Sequence, residues 1–494
     1  MHENITDMFD KIEPDKTLKN KVMRRVEENE MKKSTIKRTG GMIIAAAAAA
    51  VIGTASVFAA TPTGKEAIRN IISYFQNDKA NEITSLAELE KYNEAIGTSD
   101  SKHGFTLTLD NVAADDNFVH VFYTIKSETP FVNDVNDTEI TGPMIWADIV
   151  INGKFAGYMG NNSIEDGYAE DCKTLKMVQK LNISTQDIPD KFKLEIIATD
   201  NNANSDWNVD LSRFYSYDDD GMPDVVLTDD EKAKVLYVSA DIDKSKIKVN
   251  TLTKHCNLPL WNDRLNLEKV IFSPFSNQLV ISADCTDLDS EETNKLVMSG
   301  DSFALYDENG VCLDVLNSGL MSKPNGITHN SFEFLKADIN TQKLVLVPVK
   351  YIEKNEDSEI IWEDTGEYPI EFQVSEYGKV VVTDIRFKDG EIDIDYYKDG
   401  YAPYDPSFLL TDKNGDNCEP GGKLDCVLIT DVHYETNTYT ARYVYEEVDM
   451  RDDNAAAPES LKADKLKERL ARIGKFREDY YTLDFDKAVT VYLK

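Results

Sequence analysis

A chain of 494 residues is too long for one hydrophobic core, and at roughly 150 residues per domain it predicts about three. With 41% hydrophobic and 10% aromatic residues it is neither wholly disordered nor an acidic solvating tail. Asp and Glu number 89 against 54 Lys and Arg, a formal charge of −35, and so negative a surface disfavours direct binding of nucleic acid by the bulk of the chain.

Charge is unevenly spread. Residues 1–39 carry ten basic and eight acidic side chains, net +2, which leaves −37 for the remainder. Within this segment Ile5, Met8, Phe9 and Ile12 fall on one helical face, and Pro14 ends the run. A second amphipathic helix follows with Leu18, Val22 and Val26 four residues apart. So small a piece cannot bury both stripes against itself, so something else must cover them. Two covers fit the pattern: the inner membrane surface, held by the basic residues, or a cytoplasmic protein that takes the helices into a groove.

From Gly40 to Ala60 there are 21 residues without a charge. A helix needs about 20 residues to cross the hydrocarbon layer. The run is rich in alanine, and its strong residues are Ile43, Ile44, Val51, Ile52, Val57 and Phe58. At about −0.5 kcal/mol each they give roughly −3 kcal/mol toward insertion. Lys32, Lys33, Lys37 and Arg38 crowd the N-terminal flank, so the positive-inside rule places 1–39 in the cytoplasm and 61–494 outside. A cleaved signal peptide is the competing reading, with small residues near Val57 and Ala59, but a patterned 39-residue leader is long for one. No cysteine follows the run directly, which argues against a lipoprotein.

Residues 61–101 read as a juxtamembrane helix near Lys65–Phe75 and a linker. Beyond them apolar and polar residues alternate. Phe105, Leu107 and Leu109 begin the pattern, and paired runs recur at 118–124, at 267–272 with 279–283, and at 380–387 with 392–397. Each set is followed by an Asn-Gly hairpin signal (Asn152-Gly153, Asn309-Gly310, Asn414-Gly415) and by a closing strand at Lys193–Thr199, Lys343–Val349 or Val489–Leu493. The expectation is a mainly β exterior of tandem Ig-like sandwiches over 102–250, 251–354 and 355–494. A helix at Pro458–Ile473, with Leu466, Leu470 and Ile473 on one face, is inserted in the third.

The helical start I-x-x-M-F-x-x-I-x-P-x-x-x-L-K-x-K-V, the single span and the stretch Gly104–Ile125 resemble single-span membrane proteins of Gram-positive bacteria. Those proteins are negative effectors (anti-sigma factors) of extracytoplasmic-function sigma factors and carry a first ectodomain of unknown function. The resemblance implies that Ile5, Met8, Phe9, Ile12, Leu18, Val22 and Val26 contact a cytoplasmic sigma factor. The zinc-bearing His/Cys motif of some anti-sigma factors is absent, since residues 1–60 hold only His2 and no cysteine, so sigma binding here would be zinc-free.

Chemical motifs are sparse. The six cysteines all follow the uncharged run and none shows C-x-x-C spacing; disulfides are permitted, with Cys418 and Cys426 flanking a turn, and free thiols equally so. Asp412 to Asp416 spaces oxygens as calcium loops do, but Asn417 and Lys423 stand where an EF-hand needs Gly and Glu, so a hairpin is the better reading. Asp218, Asp219 and Asp220 read as a solvated acidic loop. Asp364-Thr365-Gly366 is a lone copy of the aspartic-protease triplet between two glutamates, without the apolar surroundings that would raise a carboxyl pKa. His255 and Cys256 are adjacent and would face opposite sides of a strand. No residue set supports an enzyme, a cofactor or a metal site. The sequence therefore leads to a single-pass, N-in regulator of a sigma factor whose exterior senses an unidentified ligand. Its competitor is an anchored surface module for wall polymer, peptide or partner protein.

Overall fold

The computed structural model describes residues 92–494 apart from 134–141, 143, 157–161, 170, 203–204, 215–223, 246–249, 323–325, 353–358, 403–406, 416–425, 435, 446–460 and 479. The partner-binding positions Ile5 to Val26, the span positions Ile43 to Phe58, the helix expected near Lys65 and the triplet Asp218–Asp220 lie outside the described residues. Among the described residues no helix is long and apolar enough to cross a membrane. They are mainly β, in six antiparallel sheets with three α-helices.

The first unit runs β1 (Glu94–Lys102), β2 (Phe105–Ala114), β3 (Phe118–Ser127), β4 (Ile145–Ile151), β5 (Lys154–Phe155), β6 (Asn162–Tyr168), β7 (Thr174–Asn182), β8 (Lys191–Asp200), α1 (Asp229–Lys234) and β9 (Leu236–Asp243). One sheet has the order β1-β2-β3-β7-β6 and the other β5-β4-β8-β9. Leu107, Leu109, Val119, Val121 and Tyr123 of the first meet Ile149, Ile151, Leu194, Ile196 and Val238 of the second in one buried cluster. A bulge between Leu109 and Asn111 shifts the alternation by one residue, so Val112 and Ala114 continue the inward row. The segment expected as linker up to residue 101 in fact supplies β1, which pairs with β2. Its Gly97, Ser99 and Ser101 mask the alternation that would have marked a strand.

The second unit follows with β10 (Leu252–Pro259), β11 (Leu265–Phe272), β12 (Asn277–Asp284), α2 (Ser290–Asp301), β13 (Phe303–Asp307), β14 (Cys312–Leu313), β15 (Val315–Ser322), β16 (Ile327–Phe334) and β17 (Lys343–Tyr351). Its five-stranded sheet repeats the first unit's order as β10-β11-β12-β16-β15. Helix α2 was not foreseen, although its signature is present: Asp289 accepts from the Glu292 N–H at 2.9 Å while the Glu292 carboxylate returns to Asp289 N.

The third unit has β18 (Ile360–Asp364), β19 (Ile370–Phe372), β20 (Gly378–Lys388), β21 (Glu391–Gly400), β22 (Leu409–Thr411), β23 (Cys426–His433), β24 (Thr438–Tyr445), α3 (Ala463–Arg469) and β25 (Arg472–Phe476), and the chain ends in β26 (Tyr481–Leu483) and β27 (Val489–Tyr492). Its sheets are β19-β20-β21-β24-β23 and β18-β25-β22. The expected helix to Ile473 is shorter than foreseen. Leu470 turns extended at φ −67°, ψ 111°, and Ile473 belongs to β25. Leu466, Leu470 and Ile473 nevertheless all enter the same core.

Two of the Asn-Gly signals make the hairpins β4–β5 and β13–β14, the first with positive φ at both Asn152 and Gly153. The third follows β22, where the Asp412 carboxylate accepts from Asn414 N at 2.8 Å. The closing strand foreseen for the third unit goes elsewhere. β27 pairs with β17 of the second unit, Lys343 opposite Tyr492 and Leu346 opposite Val489, whereas β18, which directly follows β17, pairs with β25 of the third.

Candidate functional site: a cleft where the three units meet

Strand β3 is apolar on both faces. Val119, Val121 and Tyr123 point into the first core, yet Phe118, His120 and Phe122 on the opposite face are also buried. The equivalent outward positions Ile271 and Val280 of the second unit are covered too. Alternation that fails to reach a polar face marks a strand packed on both sides, and this was the available signal for an interface between units.

The contacts bear this out. Asn182 Nδ2 donates to Ser331 Oγ at 2.9 Å, and Asn117 Nδ2 donates to the Ser276 carbonyl at 2.6 Å. The Ser273 hydroxyl donates to Asp115, whose other oxygen accepts the Asn117 and Phe118 N–H groups at 2.7 Å each. Lys180 ties all three units together. Its ammonium donates to both Glu333 oxygens at 3.1 Å and to the Tyr434 hydroxyl at 3.3 Å, and it lies 4.1 Å from the Phe118 ring centroid. Both charges are well covered, with side-chain exposures of 6% for Lys180 and 13% for Glu333.

Beside these contacts opens a cleft of about 360 Å³ lined by Tyr92, Asn250, Phe275, Ile339, Tyr434 and Asn437 among others. Tyr92 places its ring 6.2 Å from Phe275 and its hydroxyl on Asn250. The lining combines aromatic faces with amide, hydroxyl and backbone groups. Such a surface suits a ligand that both stacks and hydrogen-bonds. Lys336, also in the lining, donates to Asp314 at 2.9 Å and to the Lys398 carbonyl at 2.8 Å, while the Tyr439 hydroxyl donates to the other Asp314 oxygen at 3.0 Å. Burial pushes the Lys398 amine down to about 8 against the pull of Asp314, and pushes the Cys312 thiol up to about 12.

Two titrating groups at the interface oppose each other. Burial holds the His120 imidazole well below the ordinary histidine range, with the Lys180 ammonium adding to the effect and the Ala113 backbone opposing it in part. Burial also pushes Asp115 up to about 6, against its hydroxyl and N–H donors. A histidine with a depressed pKa stabilises the fold above its unfolded value of 6.5 and costs stability as pH falls below that. An aspartate raised to about 6 binds its proton more tightly in the folded state, so stability grows as pH falls through 6. The two slopes should nearly cancel in the native chain. Replacing Asp115→Asn should leave an acid-labile protein, and replacing His120→Phe an acid-stabilised one, with slopes up to about 1.4 kcal/mol per pH unit. Urea midpoints at pH 5, 6 and 7 measure both.

None of the site residues chosen from the sequence lies among the described residues, so the cleft is built from side chains that no motif had flagged. Among the described residues Cys172, Cys256, Cys285 and Cys312 are free thiols, and no group of three His, Cys, Asp or Glu side chains stands close enough to hold a metal ion. Asp364 of the protease-like triplet is 89% exposed and lies 3.5 Å from Arg472.

Comparison with known proteins adds two family assignments over parts of the chain. A domain of unknown function, DUF4179, matches residues 32–127, and a family of unknown function, DUF5643, matches residues 248–374. Each covers less than half of the chain. No curated protein matches it. A solved conserved domain protein from Bacillus anthracis is similar at 14% identity over 55% of this chain and 82% of its own, with a TM-score of 0.31.

Proposed function

We propose that this chain is a single-pass membrane regulator, N-terminus inside, whose first 39 residues sequester an extracytoplasmic-function sigma factor as an anti-sigma factor and whose β units sense a signal outside. The observation that carries the reading is the extent of the first family match. It begins at residue 32 in the basic flank, spans the uncharged stretch 40–60 and ends at residue 127, the last residue of β3. The uncharged run thus belongs to the same recognised unit as the first β strands, which favours a retained span over a removable leader. Inside, Ile5, Met8, Phe9, Ile12, Leu18, Val22 and Val26 form the apolar face that covers the sigma factor's working surface. Outside, the junction cleft is the place for the signal. The units read as Ig-like: leaving out the first strand, β1-β2-β3-β7-β6, β10-β11-β12-β16-β15 and β19-β20-β21-β24-β23 each have the pairing order A-B-E-D, and β5-β4-β8-β9 has the order C′-C-F-G.

The test is direct. Phe9→Asp with Leu18→Asp should abolish recovery of a co-expressed sigma factor with the affinity-tagged full chain, while membrane insertion is unchanged. Retained co-purification in the double variant removes the sequestration mechanism.

A further inference from the structure

In the first unit the strand after β8 returns to its own sheet, and β9 closes the sandwich beside β8. The second and third units have the same arrangement with the closing strands crossed. β17 is closed by β27 from the end of the chain, and β25 is closed by β18, which leaves the second unit immediately after β17. The described ends of the crossing segments pair antiparallel. Lys350 is opposite Thr482 and Tyr351 opposite Tyr481, Ile352 N donates to the Tyr480 carbonyl at 2.8 Å, and Arg477 N donates to the Glu359 carbonyl at 2.8 Å. Paired connections between two bodies that have traded equivalent closing strands are the geometry of a strand exchange.

An uncrossed form is within reach of the same chain. Eight residues separate β17 from β18 and four separate β25 from β26, each enough for a hairpin that would return the strand to its own unit. The second family match, residues 248–374, joins β10 to β17 with β18 in one stretch and runs on through the short β19. The two forms would keep both five-stranded faces and trade the closing side chains, Leu483 and Val491 on the second unit for Ile361 on the third, about a hinge where Tyr351, Ile352 and Phe476 expose apolar surface. Two packings so alike are the basis of a bistable element.

We propose that β18 and the β26–β27 arm are exchangeable closing strands, and that the second and third units convert between the crossed form and an uncrossed form joined by a single connection. The proposal is independent of the sigma-factor reading. The conversion is a conformational device: a ligand or a load shifts it to the extent that it distinguishes the crossed form from the uncrossed one.

The test uses the full chain with Lys343→Cys and Tyr492→Cys, which face each other across the β17–β27 ladder, and a protease site placed between β17 and β18. After oxidation and cleavage, the two fragments should stay covalently joined under denaturing, non-reducing conditions, with the new disulfide mapped by mass spectrometry among the native thiols. Fragments that separate would overturn the crossing. Hydrogen exchange tests the conversion: the β27 staple should slow amide exchange at least tenfold in β18 as well, because both arms must leave together. Unchanged β18 rates with a slowed β27 would overturn it. Lys350→Cys with Thr482→Cys repeats both measurements should the first pair disturb folding.

Discussion

A chain ending at Tyr480 should lose the folded state of its second unit and keep that of its third. The deletion removes Tyr481, Leu483, Val491 and Leu493, each no more than 5% exposed. It also strips β17 of its outer ladder and takes Leu483 from the apolar cluster shared by Val345, Val347 and the Tyr377 and Tyr401 rings. Four large buried side chains at about 1.5–3 kcal/mol each are worth roughly 6–12 kcal/mol, comparable with the whole stability of a domain at about 5–15 kcal/mol. These residues belong by sequence to the third unit but by packing to the second, whose clusters hold Leu483, Val491 and Leu493, while the third unit's own core holds none of the four. Limited proteolysis read by mass spectrometry should show cleavage throughout β10–β17, while β1–β9 and β19–β25, whose cores hold none of the deleted residues, stay protected. Protection of the second unit in the shortened chain would mean that β18 had turned back to replace the lost strand.

Loss of the Lys180 ammonium should be the most damaging single change at the junction. Lys180→Ala leaves Glu333 buried without its cation and removes the hydrogen bond to Tyr434, so it disturbs three units with one substitution. Breaking a buried pair from one side costs about 3–5 kcal/mol, chiefly because of the charge left behind. Lys180→Met combined with Glu333→Leu should recover most of that, since two apolar chains of similar volume need no desolvated charge. Denaturant unfolding of the two variants separates the outcomes. Equal losses would show that packing, rather than the stranded charge, holds the units together.

Much of the β architecture was readable residue by residue. Phe105, Leu107 and Leu109 alternate because a pleated strand sends every second side chain inward, and Asn152-Gly153 makes its hairpin because both residues accept positive φ. Helix α2 was readable too, from the Asp289–Glu292 capping box. Ile473 misled because three residues of helical spacing can also be two ends of a helix and one strand position that converge on one core.

The cleft could not be found this way. Tyr92, Asn250, Phe275, Tyr434 and Asn437 come from segments more than 300 residues apart, and no local pattern binds them. What β3 did disclose is that its second face is covered; which surface covers it is a matter of assembly.

The sequence by itself determined where strands form, where they turn and which face of each is apolar, because these depend on side chains a few residues apart. Which partner each edge takes was decided only in the tertiary structure. Ile360–Asp364 and Val489–Tyr492 are both short strands able to close a sandwich, and the backbone hydrogen bonds of an open edge are the same for either. Only the packing of Leu483 and Val491 against the second unit, and of Ile361 against the third, settles the choice.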